Sequence, residues 1–312
     1  NQDVAFLNES IGSLAIQNSK KIPNGKIILL ENIRFHKEEE LNSVSFAKEL
    51  SKIGDIYINE AFPCSHRAHA SVCEITKHIN SFAGKQLLEE INVIKMLTSN
   101  TKKPTTCIIG GSKISTKSGI LINLIKKMQN IVIVGAMANV FLKHKGYNIG
   151  RSIFEKNQEN LLENIIQESA KSNCNLVLPE DVIVSKDHSS KGVLKSLDQI
   201  NNNDLILDIG EKTVQNIFKV IDESKTILWN GPVGYYEIDE FSVGSKKIAN
   251  KISENTKTKS LVSIAGGGDT VAAINKFKCS NGFTYLSTAG GAFLEFLEGK
   301  VLPGIKALEV NE

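Results

Sequence analysis

Short apolar runs alternate with longer amphipathic stretches along most of the chain. Runs of four or five residues rich in β-branched side chains predict strands, and apolar residues that recur every three or four positions predict helices. The predicted strands span residues 4–7, 26–30, 55–59, 105–109, 131–134, 175–178, 205–208, 226–229, 261–264 and 283–287. The predicted helices span residues 44–53, 86–98, 116–128, 138–144, 158–170, 212–221, 241–252, 271–277 and 290–297.

This alternation predicts an α/β fold with parallel sheets that are covered by helices on both faces. Ligands of such sheets bind beyond the carboxyl ends of the strands. The helix at 86–98 ends before Pro104 and is a candidate connector between two domains. The polar stretch at 185–203 interrupts the alternation and is assigned no strand or helix.

Length, charge and cysteine content restrict the class of protein. A chain of 312 residues that is 41% hydrophobic and 23% charged can form two globular domains. A net charge of +3 gives no reason to expect nucleic acid as a partner, and a small anionic ligand fits better. The five cysteines lack metal-ligand spacing and predict free thiols in the cytoplasm. Neither an export signal nor a membrane-spanning run is evident.

The stretch from Ser260 to Phe277 combines a strand, a glycine turn and a helix. Gly266, Gly267 and Gly268 let the backbone turn without side chains, and the free N–H groups of the following helix suit a phosphate. Alternatively, the glycines only make a tight connection, with Asp269 as the N-cap of the helix.

Other glycine turns also follow predicted strands. They lie at 110–113, 231–234 and 289–291, and turns at one edge of a sheet share a cleft. None matches the P-loop or the dinucleotide fingerprint, which argues against a standard NTPase and against a dehydrogenase. Lys113 and Lys117 stand beside the first turn and can reach phosphate oxygens, although isolated lysines are often only solvated.

A second group of candidate binding residues lies in the first quarter of the chain. Arg34 and His36 follow one strand, and His66, Arg67 and His69 follow another. Such a cluster can bind carboxylate or phosphate oxygens. The alternative is a surface ion-pair cluster with the glutamates at 38–40. No nucleophile with a paired base is evident in the sequence.

These segments together resemble the phosphoglycerate kinase family. The matching motifs are Leu-Glu-Asn-Ile-Arg-Phe-His at 30–36, Asn-Glu-Ala-Phe at 59–62, His-Arg-Ala-His-Ala-Ser at 66–71, Gly-Gly-Ser-Lys-Ile-Ser-Thr-Lys at 110–117, Trp-Asn-Gly-Pro-Val-Gly at 229–234, Ala-Gly-Gly-Gly-Asp-Thr-Val-Ala-Ala at 265–273, and Leu-Glu at 294–295 through Glu-Gly-Lys-Val-Leu-Pro-Gly at 298–304. Ordered motifs along the whole chain are far more specific than any single glycine turn.

The resemblance implies two Rossmann-like domains joined by a helix, with the first domain incomplete. Residues 1–79 would be the C-terminal part of the domain that binds 3-phosphoglycerate, and 80–98 the interdomain helix. Residues 99–300 would bind the magnesium nucleotide, and 301–312 would return toward the first domain. The resemblance also implies a hinge-bending glycolytic enzyme that works as a monomer, without nucleic acid or membrane partners.

The resemblance assigns roles to individual residues. Arg34, His66 and Arg67 would bind phosphoglycerate, and Lys113 would neutralise the phosphoryl group during transfer, helped by the helix N-termini at Gly268 and Gly291. Asp269 would hold Mg²⁺, and Glu237 the ribose. The nucleotide-binding residues would be Gly111, Lys117, Asn230, Pro232, Glu237, Gly267, Gly268, Asp269 and Thr270.

The chain departs from the family pattern at several positions. Glu60 and Pro63 replace an aspartate and a glycine, and Ala136 and Ala289 replace glycines near the expected purine and phosphate sites. The family's opening strand–helix units, which carry further substrate ligands, are absent. The sequence therefore looks like an N-terminally truncated kinase.

The expected reaction is reversible phosphoryl transfer between ATP and 3-phosphoglycerate, which gives ADP and 1,3-bisphosphoglycerate. Such a transfer requires alignment and charge neutralisation, and an ionised carboxylate acceptor needs no general base. Two alternatives remain open: a nicotinamide dehydrogenase on a similar sheet, and a nucleotide-binding fragment of such a kinase without catalytic activity.

Overall fold

The computed structural model describes residues 3–98, 101–287 and 289–309, and it has an α/β architecture. The strands are β1 Val4–Leu7, β2 Ile27–Leu30, β3 Ile56–Asn59, β4 Asn80–Ala83, β5 Thr105–Ile109, β6 Asn130–Ile133, β7 Asn175–Val177, β8 Asp181–Ser185, β9 Val193–Ser196, β10 Leu205–Ile209, β11 Thr226–Asn230, β12 Val262–Gly266 and β13 Tyr285–Ser287. The helices are α1 Ser13–Lys21, α2 Lys37–Glu40, α3 Val44–Ser51, α4 Lys85–Thr98, α5 Ser118–Ile125, α6 Ala136–His144, α7 Glu159–Lys171, α8 Glu211–Glu223, α9 Val243–Thr258, α10 Gly268–Lys276, α11 Gly290–Leu297 and α12 Pro303–Glu309.

Every predicted strand and helix has a counterpart, with boundaries that differ by a few residues. Prediction missed α1, α2, β4, β8, β9 and α12. Helix α1 buries a single alanine, Ala15, so its sequence carries little amphipathic signal. Strand β4 has four residues, two of them polar, and provides too short a pattern to identify.

The largest sheet has six parallel strands in the order β13-β12-β11-β5-β6-β7. Trp229 of β11 is level with Ile108 of β5 on one side and with Ala265 of β12 on the other. Strands β5 and β11 are buried along their whole length, which explains why their apolar residues stand side by side and do not alternate with exposed polar ones. Helices α8 and α9 contribute Ile217 and Ile248 to the core over Trp229.

The sequence-based expectation of parallel sheets alone was wrong for strand β10. This strand belongs to a separate three-stranded sheet in the order β10-β8-β9, in which both pairings are antiparallel. The polar stretch at 185–203 contains β9, which folds back on β8. Strand β9 is exposed at every position except the half-buried Lys195 and has no long apolar run, so its pairing depends on β8.

The chain divides into two compact units. The first comprises residues 1–92 and 300–312, and the second comprises residues 93–299. The first unit contains two parallel strand pairs, β1-β2 and β3-β4. The second contains the six-stranded sheet and the antiparallel sheet.

Two expectations from composition concern cysteines and membranes. The five cysteines are all unbridged. Within the described part of the chain, no helix combines the length and the apolar character needed to cross a bilayer.

Candidate functional site

Two glycine turns of the second unit meet where β5 and β11 end. The Gly110 N–H donates to the Asn230 carbonyl oxygen at 2.9 Å, and Gly231 has a positive φ of 99°. A Cβ atom on Gly231 would lie 2.3 Å from the Gly110 carbonyl oxygen. Glycine is therefore required at position 231 because the backbones of the two turns are in contact. This contact is additional to the strand-to-helix connection that each turn makes.

The turn after β12 is joined to the same place by side chains. The Thr270 hydroxyl accepts a hydrogen bond from the Gly231 N–H at 2.7 Å, and Asn230 Nδ2 donates to the Gly266 carbonyl oxygen at 2.7 Å. Gly267 has a φ of 97°, and a Cβ on Gly268 would meet no atom within 4 Å. The start of α10 at Gly268 thus has free space around it. Thr270, by contrast, is buried, and its hydroxyl is already hydrogen-bonded within the protein.

Lys117 lies under these turns. Its ammonium donates to the Gly110 carbonyl oxygen at 2.6 Å and to Asn230 Oδ1 at 2.7 Å. Burial lowers the pKa of Lys117 to about 8, and the nearby Cys107 thiol and Asp269 carboxylate oppose this shift in part. The structure therefore supports the interpretation of Lys117 as a built-in cation and not as a solvated lysine.

Lys113 has a different environment. It is exposed on the turn that precedes the short 3₁₀ helix Ser115–Lys117. The Ser115 N–H and hydroxyl both donate to the Glu155 carboxylate, the N–H at 3.0 Å, and these hydrogen bonds lower the pKa of Glu155. Glu155 thus anchors the loop that presents Lys113, a role that no sequence pattern indicated.

A cavity of about 310 Å³ opens beside the glycine turns. Its wall includes Gly111, Ala136, Pro232, Glu237 and Asp269 from the sequence-based prediction. Sequence reasoning missed several other lining residues, because they come from α6, from β10 and from loops outside the glycine turns. These residues are Asn139, Leu142, Ser152, Ile153, His188, Leu205, Asp208 and Tyr235.

Several predicted positions do not line this cavity: Lys113, Lys117, Asn230, Gly267, Gly268, Thr270 and Gly291. Gly291 is the second residue of α11, and the same helix packs Phe293 beneath Gly266. Ala289 is buried before this helix. Of the two glycine replacements noted in the sequence, only Ala136 adds its methyl group to the cavity wall.

The basic cluster forms within the first unit. Arg34 lies in the 3₁₀ helix Ile33–Phe35, with Nη2 3.9 Å from the Cys64 sulfur. Arg67 Nε donates to His66 Nε2 at 3.3 Å. Burial lowers the pKa of His69, and the Arg34 and Arg67 charges lower it further against the opposing effect of Glu39. Arg34 thus lies near the loop that carries His66, Arg67 and His69, whereas His36 contacts Ser10 Oγ at 3.0 Å.

Glu39 fixes the loop that carries this cluster. It is 2% exposed and accepts hydrogen bonds from the Ser71 hydroxyl at 2.6 Å and the Ser71 N–H at 2.9 Å. His69 Nδ1 is 3.7 Å from the same carboxylate. In the described part of the chain, neither arginine forms an ion pair with any of the glutamates 38–40. The surface ion-pair alternative therefore loses support.

The departure at Glu60 has a local explanation. Its Oε2 accepts hydrogen bonds from the backbone N–H groups of Gln86 at 2.8 Å and Leu87 at 3.2 Å. A carboxylate at this place caps the first turn of α4 and opposes the positive end of the helix.

The fold and these turns define an α/β protein with anion-binding groups at the carboxyl ends of its parallel strands. A family model described as phosphoglycerate kinase matches residues 1–300. The chain belongs to the phosphoglycerate kinase family.

Individual relatives agree with this assignment. The phosphoglycerate kinase of Orientia tsutsugamushi strain Ikeda is 45% identical over 311 residues, which are 99% of this chain and 77% of that protein. That of Wolbachia pipientis subsp. Culex pipiens is 44% identical over 98% of this chain and 78% of its own length. The solved phosphoglycerate kinase of Coxiella burnetii superposes with a TM-score of 0.88 at 37% identity, covering 98% of this chain and 77% of that one.

Proposed function

We propose that this kinase transfers a phosphoryl group reversibly between ATP and the carboxylate of 3-phosphoglycerate. The observation that carries the proposal is the meeting of three glycine turns, the half-buried Lys117 and the Asp269 carboxylate beside one cavity. Membership of the family indicates the reaction, and the turns would provide the phosphate-binding groups that this reaction requires.

The second unit would hold the nucleotide. Gly111, Gly267 and Gly268 leave backbone N–H groups accessible to phosphate oxygens, and Lys117 adds charge beneath them. Asn230 and Thr270 would act indirectly, since both hold the turns together. Pro232 and Ala136 would flank the base, and Glu237 would accept hydrogen bonds from the ribose.

Asp269 is the residue that would hold Mg²⁺. It is exposed in the first turn of α10 and lines the cavity. The described residues contain no cluster of three or more side chains able to bind a metal. One carboxylate suits Mg²⁺ delivered with the nucleotide, since this ion binds one or two carboxylates plus substrate phosphates. When bound, it would supply positive charge to the phosphate oxygens.

The first unit would hold phosphoglycerate. Arg34, Arg67 and His66 present donors suited to phosphate and carboxylate oxygens, and Glu39 fixes the loop on which two of them lie. The proposal also includes domain closure during the reaction, a cytoplasmic location, a monomeric state, and the absence of nucleic acid and membrane partners.

Lys113 would act on the group in transfer. Its exposed position on a loop anchored by Glu155 would leave its charge available to the transferring group. The acceptor carboxylate is ionised at neutral pH, so charge neutralisation is needed and a base is not. We predict that Lys113→Ala lowers kcat by ~10²-fold while the Kd for ADP changes little. Unchanged turnover with weakened ADP binding would assign Lys113 to ground-state binding.

Calorimetry with ADP, 3-phosphoglycerate and NAD tests the proposal. Binding of ADP and phosphoglycerate, with Arg67→Ala weakening only the latter, is the expected result. Binding of NAD in their place would favour the dehydrogenase alternative. ADP binding without measurable turnover in a coupled assay would favour a nucleotide-binding member without activity.

A further inference from the structure

Lys276 has no role in the site as described so far. It is the last residue of α10, the helix that carries Asp269 in its first turn. A lysine at the end of a helix commonly interacts with the last carbonyls of its own helix. The Lys276 ammonium instead reaches Tyr236, 40 residues earlier, in the loop 231–238 that carries Glu237. The lysine therefore connects α10 to a loop of the proposed nucleotide site.

The contacts of this ammonium are all with the protein. It donates to the Tyr236 carbonyl oxygen at 2.9 Å and to the Glu237 carbonyl oxygen at 3.1 Å, and it lies 2.7 Å from Asp239 Oδ1. These contacts use the three donors of an ammonium group. We therefore do not assign Lys276 to phosphate binding, although it lies on the same helix as Asp269.

The two carbonyl contacts matter more than the ion pair. The Asp239 side chain is 92% exposed, and an ion pair with so exposed a partner contributes little. A hydrogen bond from an ionised donor is stronger than one between neutral groups. The main effect of Lys276 is therefore on the backbone of the loop.

The two carbonyls belong to the peptide units on either side of the Glu237 Cα atom. Each peptide unit is planar, so only two soft dihedral angles determine the backbone at this residue. A cation that binds both carbonyl oxygens restricts both angles and fixes the direction of the Cα–Cβ bond. Glu237 is exposed and lines the cavity, so the place from which its carboxylate enters depends on this backbone.

The same helix also holds the other end of the loop. In the first turn of α10, the Thr270 hydroxyl accepts a hydrogen bond from the Gly231 N–H at 2.7 Å. One helix thus fixes the glycine turn at one end of the loop and Glu237 at the other. The spacing between the phosphate-binding groups and the proposed ribose ligand is therefore set by α10.

We propose that Lys276 is a positioning residue that directs Glu237 toward the ribose hydroxyls of the nucleotide. The inference rests on the proposed nucleotide site and on the ribose role of Glu237. Without the ammonium, the two carbonyls turn to solvent and the carboxylate no longer points at the sugar. The phosphates keep their own ligands at Lys117, Gly267 and Gly268, so the loss is confined to the contribution of the sugar hydroxyls.

Calorimetry with ADP and 2′,3′-dideoxy-ADP isolates that contribution, because the two ligands share the base and the phosphates. The wild-type chain is expected to bind ADP ~10-fold more tightly, since hydrogen bonds to a charged group are lost with the hydroxyls. Lys276→Met should bring the ratio near one by weakening ADP binding alone. Lys276→Arg retains the charge and the donors and should retain the preference. Lys278→Met removes an exposed charge two residues later and should behave like the wild type.

A double variant tests whether Lys276 acts through Glu237. Glu237→Ala should lose the preference by itself, and Lys276→Met added to it should weaken ADP binding no further. A preference that survives Lys276→Met, an equal loss in Lys276→Arg, or a further loss in the double variant overturns the inference. The emission of buried Trp229 reports folding, and Lys276→Gln takes the place of Lys276→Met if that variant does not fold.

The wild-type chain separates failure of the proposed function from failure of this inference. If it binds neither nucleotide, the proposed nucleotide site is wrong. If it binds both equally, the ribose role of Glu237 is wrong. Either result overturns the positioning role, and either is visible before any substitution at Lys276.

Discussion

At the scale of single residues, the site depends on charges whose environment the fold determines. Lys113 and Lys117 are four positions apart and look alike in the sequence. Lys113 is exposed on a loop, whereas Lys117 is half-buried and donates hydrogen bonds to a backbone carbonyl and to an amide oxygen. Burial lowers the pKa of Lys117 to about 8, so a modest rise in pH above neutrality removes charge from this lysine.

The affinity for ADP should therefore fall as the pH rises above about 8. In the free protein Lys117 loses its proton near that pH, whereas bound phosphate keeps it protonated. One such proton weakens binding by up to ~10-fold per pH unit until the pKa of the complex is reached. Calorimetry at pH 7.5 and 9.5 measures the change. Lys117→Met should remove it, whereas Lys257→Met, an exposed lysine on α9, should retain it. If the affinity of the wild-type chain for ADP is the same at pH 7.5 and 9.5, the inference that Lys117 loses its proton near pH 8 is wrong.

Asp208 provides a second pH-dependent residue. Its carboxylate is buried between β10 and α9, where it accepts hydrogen bonds from the N–H groups of Gly244 at 2.7 Å and Ile209 at 2.9 Å. Burial raises the pKa of Asp208 to about 7 despite these hydrogen bonds. The folded state therefore holds the proton more strongly than the unfolded state. The stability that this difference contributes is present at low pH and is lost as the pH rises through about 7.

Replacing Asp208 by asparagine should remove this dependence. Between pH 5 and 8 the wild-type chain should lose on the order of 2 kcal/mol of unfolding free energy relative to Asp208→Asn. Urea denaturation at both pH values measures the difference. Asp187→Asn is the control, because hydrogen bonds from Ser189 and Ser190 lower the pKa of Asp187 to about 2 and it stays ionised throughout. A difference that is the same at both pH values would show that Asp208 is charged in the fold.

At the scale of elements, the ends of helices connect distant parts of the sequence. Helix α4 begins at Lys85, yet its first N–H groups are satisfied by Glu60, which lies more than twenty residues earlier. Gly84 has no room for a side chain, because a Cβ there would lie 2.1 Å from the Glu60 carboxyl carbon. The glutamate that departs from the family pattern is thus part of how this helix starts.

Glu60→Ala should destabilise the first unit by about 1 kcal/mol, the usual effect of removing a helix cap. The change should be visible in urea denaturation followed by hydrogen exchange of the α4 amides. Glu89→Ala removes an exposed carboxylate from the same helix and should have little effect. Equal effects of the two substitutions would mean that the Glu60 hydrogen bonds contribute nothing.

At the scale of the whole molecule, the two units differ in how completely their sheets are covered. In the first unit, apolar side chains of both strand pairs are exposed: Phe6 60%, Leu29 59%, Ile56 59%, Ile58 58% and Phe82 56%. In the second unit, β5 and β11 have no exposed residue. Burial of apolar surface is the main source of stability, so the two units should differ in their resistance to local opening.

Amides of β1 to β4 should therefore exchange with deuterium faster than those of β5, β11 and β12. Mass spectrometry of peptides from both units measures this directly. The single tryptophan, Trp229, is fully buried in the second unit and should keep its native emission at urea concentrations that already open the first. Equal protection of both strand sets, or simultaneous loss of Trp229 emission, would contradict this expectation.

Many structural features of this protein are determined by short stretches of its sequence. The central strands were identifiable because buried parallel strands are mainly apolar and β-branched, and the glycine turns because positive φ and close backbone contact exclude other residues. The ordered motifs identified the family, which the comparisons confirmed. These features are local, so a window of ten residues contains the physical information that specifies them.

Other features were decided only when distant segments packed together. Strand β10 joined an antiparallel sheet because β8 was there to pair with it, and Lys117 became a half-buried cation because its ammonium binds Asn230 and Gly110. Glu237 is an ordinary exposed glutamate until Lys276 binds the backbone carbonyl oxygens on both sides of its Cα atom. Burial and hydrogen bonding depend on three-dimensional neighbours, so the tertiary structure alone determines what these side chains can do.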